Sequence, residues 1–340
     1  MKSRNIVYIL LTCLSLLFVI MLFFPVMKTD HKSENYLYID KNDTPDSVYK
    51  KIKNSSVFNS LQFSGIKMCG FLINYSNHVH SGKYAIENTD SPFSFMRKLR
   101  GGKQTPVRIT IPIVHTLNDL SSRLSKVLEP DSSSFICTFL SPEVLQELKL
   151  DSANVLCMFI PNTYEVYWNI TPTALLKRIK REHDNFWTAQ RKAKAKAIGL
   201  TTNEVYTLAS VVQQESENED ERPIIAGMYM NRLRKRMKLQ ADPTVKFALQ
   251  DFSLRRITYD HLKYDSPYNT YIYEGLPIGP ICIPSINAIE SVLNHSNHDY
   301  LYMCAKEDLS GTHNFSKSFK EHSINARRYS KMLNECRIYK

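Results

Sequence analysis

The stretch "LASVVQQESENEDER", Leu208 to Arg222, decides how the chain reads. Just upstream, Thr201 and Glu204 lie three residues apart. That is the capping-box signature, in which each side chain satisfies an orphan backbone N–H of the other residue. Val205, Leu208, Ala209 and Val212 then recur at spacings of three and four and mark one face of a helix. Glu215 follows Val212 by three residues and Leu208 by seven, so it points with that apolar face near the helix end. A carboxyl there is partly desolvated. Its charged form is disfavoured and its pKa raised, which is what a general acid needs near neutral pH. The competing reading is an exposed acid at a frayed helix end. Glu217, Glu219, Asp220 and Glu221 read as structural. They precede a helix beginning near Pro223, where acids offset the N-terminal partial charge and Pro is tolerated in the first turn.

Outward from this helix the pattern is mixed α+β. "YLYID" (Tyr36 to Asp40), "SGKYAI" (Ser81 to Ile86) and "VRITIP" (Val107 to Pro112) alternate as strands do. "DTPDSVYKKIKNSS" reads as a helix begun at Asp43 or Thr44, with Pro45 in the first turn. "SPFSFMRKLRGGK" is led in by Ser91-Pro92 and stopped by Gly101-Gly102, and "TLNDLSSRLSKVL" is a further helix. These strand–helix units suggest a small α+β module. Thr173 to Ala197 reads as helical and strongly basic, densest at "RKAKAKAIG" (Arg191 to Gly199), a run that suits a solvated face. "PIIAGMYMNRLRKRM" is another helix. "DSPYNTYIYEGLPIGPICIPS" (Asp265 to Ser285) is too rich in Pro and Gly for regular helix and reads as an ordered loop anchored by its aromatic and aliphatic residues. A helix from Ile286 to Leu293, a strand "DYLYMCA" and a terminal helix "SFKEHSINARRYSKML" follow.

The chain has 340 residues, room for two domains, and 43% hydrophobic residues, enough for a packed core. Ile6 to Met27 carries no charge and is long enough to cross a bilayer as a helix. Lys2 and Arg4 precede it, which favours a cytoplasmic N-terminus. The exit, Phe-Phe-Pro-Val-Met, offers no small-residue cleavage site, and Cys13 follows Thr12, a poor lipoprotein signal, so the segment reads as an uncleaved anchor. A polar tether runs from Lys28 to Asn35. The rest of the chain then lies outside the cytoplasm. The net charge of +11 would meet an anionic membrane surface or an acidic wall polymer there, not nucleic acid. Cys69, Cys137, Cys157, Cys282, Cys304 and Cys336 are scattered without a C-x-x-C pair, so no metal site and no cofactor is expected. Most of them read as buried small hydrophobes, and the sequence chooses no disulfide partners.

Two polar fragments add binding chemistry. "LQADPTV" (Leu239 to Val245) places Gln240, Asp242 and Thr244 at what also reads as a plain helix start. "SPYNTY" (Ser266 to Tyr271) mixes hydroxyls, an amide and aromatic rings, a mixture that binds sugars and that also makes ordinary turns.

"LASVVQQES" followed by "ERPIIAGMYMNRL", "LQADPTV", "SPYNTY", "GLPIGPI" and "THNFSKSFKEH" resemble, in order and spacing, the MltG (YceG-like) endolytic lytic transglycosylases of bacterial cell walls. The likeness runs from about Tyr36 to Lys331. It implies three parts: residues 1–30 as cytoplasmic stub and anchor, 31–105 as a LysM-like module, and 106–340 as a mixed α+β catalytic domain with a lysozyme-like catalytic helix. It implies cleavage of peptidoglycan strands between N-acetylmuramic acid and N-acetylglucosamine, leaving a 1,6-anhydro end. Glu215 matches the catalytic glutamate. Gln240, Asp242, Thr244, Ser266, Tyr268, Asn269 and Thr270 match positions that line the sugar cleft. The expected setting is the outer side of the cytoplasmic membrane, near penicillin-binding synthases. Two departures stand out: Gln213 where the family often has Glu, and Asn162 where Asp is usual. Two rival functions remain at this stage. One is a non-catalytic wall-binding scaffold. The other is a hydrolase that pairs Glu215 with Glu217, Asp242 or Glu165.

Overall fold

A computed structural model describes residues 2–23, 35–55, 57–254 and 256–335. Most of the polar tether read at Lys28 to Asn35, the exit of the apolar segment beyond Phe23, and Cys336 lie outside these residues. The chain divides into two compact units. The first holds Met1–Ile109, Ser125–Pro130 and Tyr164–Thr171; the second holds Thr110–Leu124, Asp131–Thr163 and Pro172–Lys340.

In the first unit, α1 (Lys2–Phe23) is long and apolar enough to cross a membrane. After it come β1 (Asn35–Ile39), α2 (Pro45–Asn54), α3 (Ser60–Leu72), β2 (Gly82–Ile86) and α4 (Pro92–Arg100). β1 and β2 pair antiparallel, Asn35 opposite Ile86 and Ile39 opposite Gly82. Leu37 and Ile39, on one side of β1, enter a core with Val48, Ile52, Ile66 and Phe95. The helix starts follow from local chemistry. Thr44 accepts from the Ser47 N–H at 3.3 Å, and Ser91 and Ser94 cap each other at 2.8 and 3.1 Å. α3 has no counterpart in the sequence reading, because "SLQFSGIKMCGFL" scatters its polar residues around the helix and shows no helical period. Gly70 on α3 makes room for the Tyr49 hydroxyl, which a Cβ there would meet at 1.9 Å.

β3 (Val107–Thr110) pairs with β4 (Thr163–Val166), a strand the sequence reading passed over. The second unit holds α5 (Leu117–Ser125), α6 (Ser132–Phe139) and α7 (Pro142–Leu148). The helical stretch expected over Thr173 to Ala197 is divided into α8 (Pro172–Phe186) and α9 (Ala189–Ala197). The break has a physical cause. Trp187 turns into the core at 2% exposure, and Thr188 starts a new helix by accepting from the Arg191 N–H at 3.3 Å. The basic run is also only partly a solvated face: Arg191 pairs with Glu290 at 2.7 Å.

α10 (Thr202–Glu215) is the centre of this unit, with the expected box closed by Thr201 and Glu204 at 2.7 and 3.2 Å. Its apolar face is wider than the spacing predicts, since every residue from Val205 to Val212 is buried. α11 (Arg222–Arg234), α12 (Asp242–Leu249) and α14 (Ile286–Leu293) pack on it, and α13 (Tyr259–Leu262) lies between the last two in sequence. The Ser210 hydroxyl inside it is paired on both sides. Ser210 donates to the Thr207 carbonyl at 2.7 Å and accepts from the Ile281 N–H at 3.0 Å. β5 (Tyr302–Ala305) and β6 (His313–Ser316) form an antiparallel hairpin before α15 (Phe319–Glu335). β6 was not expected as a strand.

Candidate active site

Glu215 is the last residue of α10, and the turn after it is pinned from inside. Arg222, 4% exposed, donates to the Ser216 carbonyl at 3.2 Å and to Asn287 Oδ1 at 3.0 Å, tying the turn to α14. Gln213, the departure from the family pattern, accepts from the Ser285 N–H at 3.1 Å and holds the start of α14. A neutral amide oxygen suffices for that role. Asn162, the other departure, accepts from the Thr163 N–H at 2.8 Å within its own exposed turn.

The Glu215 carboxyl faces a cavity of about 410 Å³. Tyr229, on α11, donates its hydroxyl to Glu215 Oε1 at 2.5 Å. Burial pushes the Glu215 pKa up to about 7, against the pull of the Tyr229 hydrogen bond, and the charge of Asp242 adds to the rise. Burial, and then the Glu215 charge, push the Tyr229 phenol well above its usual range, so it stays a donor. The result is a carboxyl half-protonated near neutrality, with one oxygen held and its rotamer fixed.

Gln240 and Asp242 line the same cavity, with Tyr271 donating to Asp242 at 2.6 Å. The other expected cleft residues do not. Thr244 and Thr270 are buried and bonded to each other at 2.9 Å, and the Thr270 hydroxyl accepts the Ala241 N–H at 3.0 Å. Asn269, fully buried, donates to the Leu262 and Tyr264 carbonyls at 3.0 and 2.8 Å. Ser266 bonds within its own turn, and the Tyr268 ring packs on Phe247 at 4.7 Å. These five residues hold the loop that presents Gln240, Asp242 and Tyr271. The reason is chemical: hydroxyls and amides that suit a sugar also suit a buried loop whose backbone groups must be paired.

Several cavity residues were missed from sequence. Arg232, one helical turn after Tyr229 and 7% exposed, donates to the carbonyls of Leu301 at 2.6 Å and Leu239 at 2.8 Å. It thereby joins α11 to the Gln240 segment and the hairpin. His313 on β6 also lines the cavity, and Glu221 grips it twice, accepting its backbone N–H at 2.8 Å and its Nδ1 at 2.9 Å. A carboxylate only accepts, so Nδ1 carries the proton. Tyr302, Phe319 and His322 complete that wall. The one available signal was the three-residue spacing of Tyr229 and Arg232 on a helix.

Among the acids weighed as partners of Glu215, only Asp242 shares its cavity. Glu217 is exposed, and Glu165 pairs with Arg108 at 3.0 Å in the first unit. A larger concavity of about 880 Å³ lies in the first unit. Its carboxylates, Glu87 and Asp90, are both paired with Lys98, at 3.6 and 2.6 Å.

Comparison with known proteins places the chain among relatives of known kind. The endolytic murein transglycosylase of Bacillus subtilis is 35% identical over 177 residues, 52% of this chain and 48% of that protein. The endolytic murein transglycosylase of Streptococcus pneumoniae is 28% identical over 268 residues, 69% of this chain and 48% of that protein. The chain thus spans about half the length of these relatives. A crystal structure of a yceG-like protein from Listeria monocytogenes superposes with a TM-score of 0.58 at 24% identity, covering 86% of this chain and 99% of that one, which is a likeness of fold. The model of the YceG-like family matches residues 37–328, and the chain belongs to that family.

Proposed function

We propose that this chain is an endolytic lytic transglycosylase of peptidoglycan with Glu215 as its acid and then its base. The observation that carries the reading is the Glu215 carboxyl at the end of a buried helix, poised at about 7 and held through one oxygen by Tyr229. Protonated Glu215 gives its proton to the glycosidic oxygen as the bond to muramyl C1 breaks. The carboxylate then takes the proton of the C6 hydroxyl as O6 closes on C1, so the proton count balances and no water is consumed. Such a reaction needs one carboxyl where ordinary glycosidases need two. Gln240 and Asp242 are the sugar-binding candidates, with Tyr271 and His313 beside them. α1 anchors the chain, with the two units on the outer side of the membrane. The strand–helix–helix–strand order of β1, α2, α3 and β2 supports reading the first unit as LysM-like.

Asp242 in the same cavity favours one alternative, a hydrolase in which it directs water. Mass spectrometry of peptidoglycan digested by the full-length protein in detergent, beside Glu215→Gln, separates the two. Internal fragments with anhydro ends, lost on substitution by about 10²–10⁴-fold, are expected. Reducing ends would instead assign a hydrolase. Undiminished cleavage by Glu215→Gln would remove the central role of Glu215.

A further inference from the structure

We infer that the exposed apolar face of α3 is a lipid-contacting surface, seated in the headgroup region of an anionic phospholipid bilayer beside the point where α1 leaves it. This rests on the reading of α1 as a membrane anchor. Along α1, the described side chains from Asn5 to Ile20 are exposed. Burial begins only in the last turn. Leu22, 4% exposed, joins the core of the first unit with Ile66, Cys69 and Phe95. The Phe23 ring lies 5.0 Å from Phe93 on α4, and an ideal Cβ on Gly65 of α3 would stand 3.1 Å from the Met21 carbonyl oxygen. The helix therefore enters the packed unit at Met21, and α3 lies against it there. If α1 spans the bilayer, that crossing fixes the bilayer surface at α3.

The outer face of α3 suits that position. Leu61, Met68, Phe71 and Leu72 are 62, 41, 82 and 57% exposed, and their spacing puts them on one side of the helix. Leu61 and Leu72 fall next to Gly65 on the helical wheel, so the apolar strip adjoins the anchor. Four large apolar side chains facing water on a 13-residue helix are an unfavourable surface for a soluble module. Laid against the acyl–headgroup boundary they gain apolar burial. Cations flank them: Lys67 sits 5.2 Å over Phe63, and the Arg97 guanidinium lies 5.8 Å over Phe93, the ring that meets Phe23. Cations at the edge of an apolar strip are placed for anionic headgroups.

The test uses the full chain carrying Phe71→Trp, reconstituted in phosphatidylglycerol vesicles with brominated acyl chains. The parent, with Trp168 and Trp187, gives the baseline. Phe71 is so exposed that the substitution leaves the core untouched. Alkaline carbonate extraction of the same vesicles reports the anchor separately. The expected result is retention after carbonate, together with a blue-shifted added emission that is lost in brominated lipid. Retention with an added emission that bromine leaves intact overturns the inference while the anchor stands. A red emission would then place α3 in water, and a blue one would place it against protein, such as a second copy. Release by carbonate overturns the anchor, and the inference with it.

Discussion

At Glu215 the unfolded chain and the folded protein disagree about a proton. Below its ordinary pKa of 4.5 the carboxyl is neutral in both states and burial is harmless. Between 4.5 and about 7 the unfolded chain ionises and the folded one does not, so the unfolded state gains and stability falls as pH rises. Above about 7 the loss is complete, on the order of 3 kcal/mol at ~1.36 kcal/mol per pKa unit. Glu215→Gln is therefore expected to raise the melting temperature at pH 8 and leave it nearly unchanged at pH 4. Equal shifts at both values would show that the carboxyl carries no such penalty. Under the proposed mechanism the same proton sets activity. kcat/KM should fall as pH rises through about 7, and Tyr229→Phe, which removes a bond that favours the charged carboxylate, should move that limb to higher pH. A limb that stays put or moves down would mean that Tyr229 does not tune the acid. Glu215 was legible in sequence because a cap and a helical period locate it without any tertiary information. Tyr229 and His313 were not, because each becomes part of the cavity only when α11 and the hairpin meet α10.

The hairpin reaches the cavity through an element with no secondary structure of its own. The segment from Ser296 to Leu301 lies along α11, where the Ser296 N–H donates to the Pro223 carbonyl at 2.9 Å and Asn231 donates to the His298 carbonyl at 2.6 Å. Gly227 permits this approach, since a Cβ there would meet the Ser296 oxygen at 2.3 Å. Backbone cannot swing aside as a side chain does. Gly227→Ala is therefore expected to cost about 1–3 kcal/mol by overpacking, and to lower activity by displacing His313. Thermal melts and digestion assays on one preparation check both. Asn269→Ala should cost a similar amount, about 1–3 kcal/mol, because it strands two carbonyls inside the loop. It should loosen Asp242 and Tyr271 without touching Glu215. Elements with caps and clear periods, such as α2, α4, α10 and α14, were readable from sequence. α3 was not, because its polar residues are scattered around the helix and leave no period, nor were β4 and β6, strands of only four residues, the first paired with the distant β3.

On the scale of the whole chain the net charge of +11 is the property that the fold leaves least used. Some basic groups are committed: Arg191 to Glu290, Lys194 to Asn294 at 2.5 Å, and Arg222 and Arg232 to buried backbone. Many others are exposed, including Lys192 and Lys196 on α9. A wall polymer whose peptide stems bear carboxylates would be drawn to such a surface, and that attraction is long-ranged and therefore screened, with a Debye length of about 8 Å at physiological salt. The acid–base step proposed at Glu215 would occur in a small cavity over hydrogen-bond distances and would be screened far less. Capture and chemistry should consequently separate in a salt series. On intact peptidoglycan, KM is expected to rise with sodium chloride while kcat holds. On glycan stripped of its peptide stems, KM should be nearly flat. A fall in kcat at constant KM would place the sensitive charges inside the cavity, with Arg232 the first candidate, and would remove the exposed basic surface from the account of substrate capture.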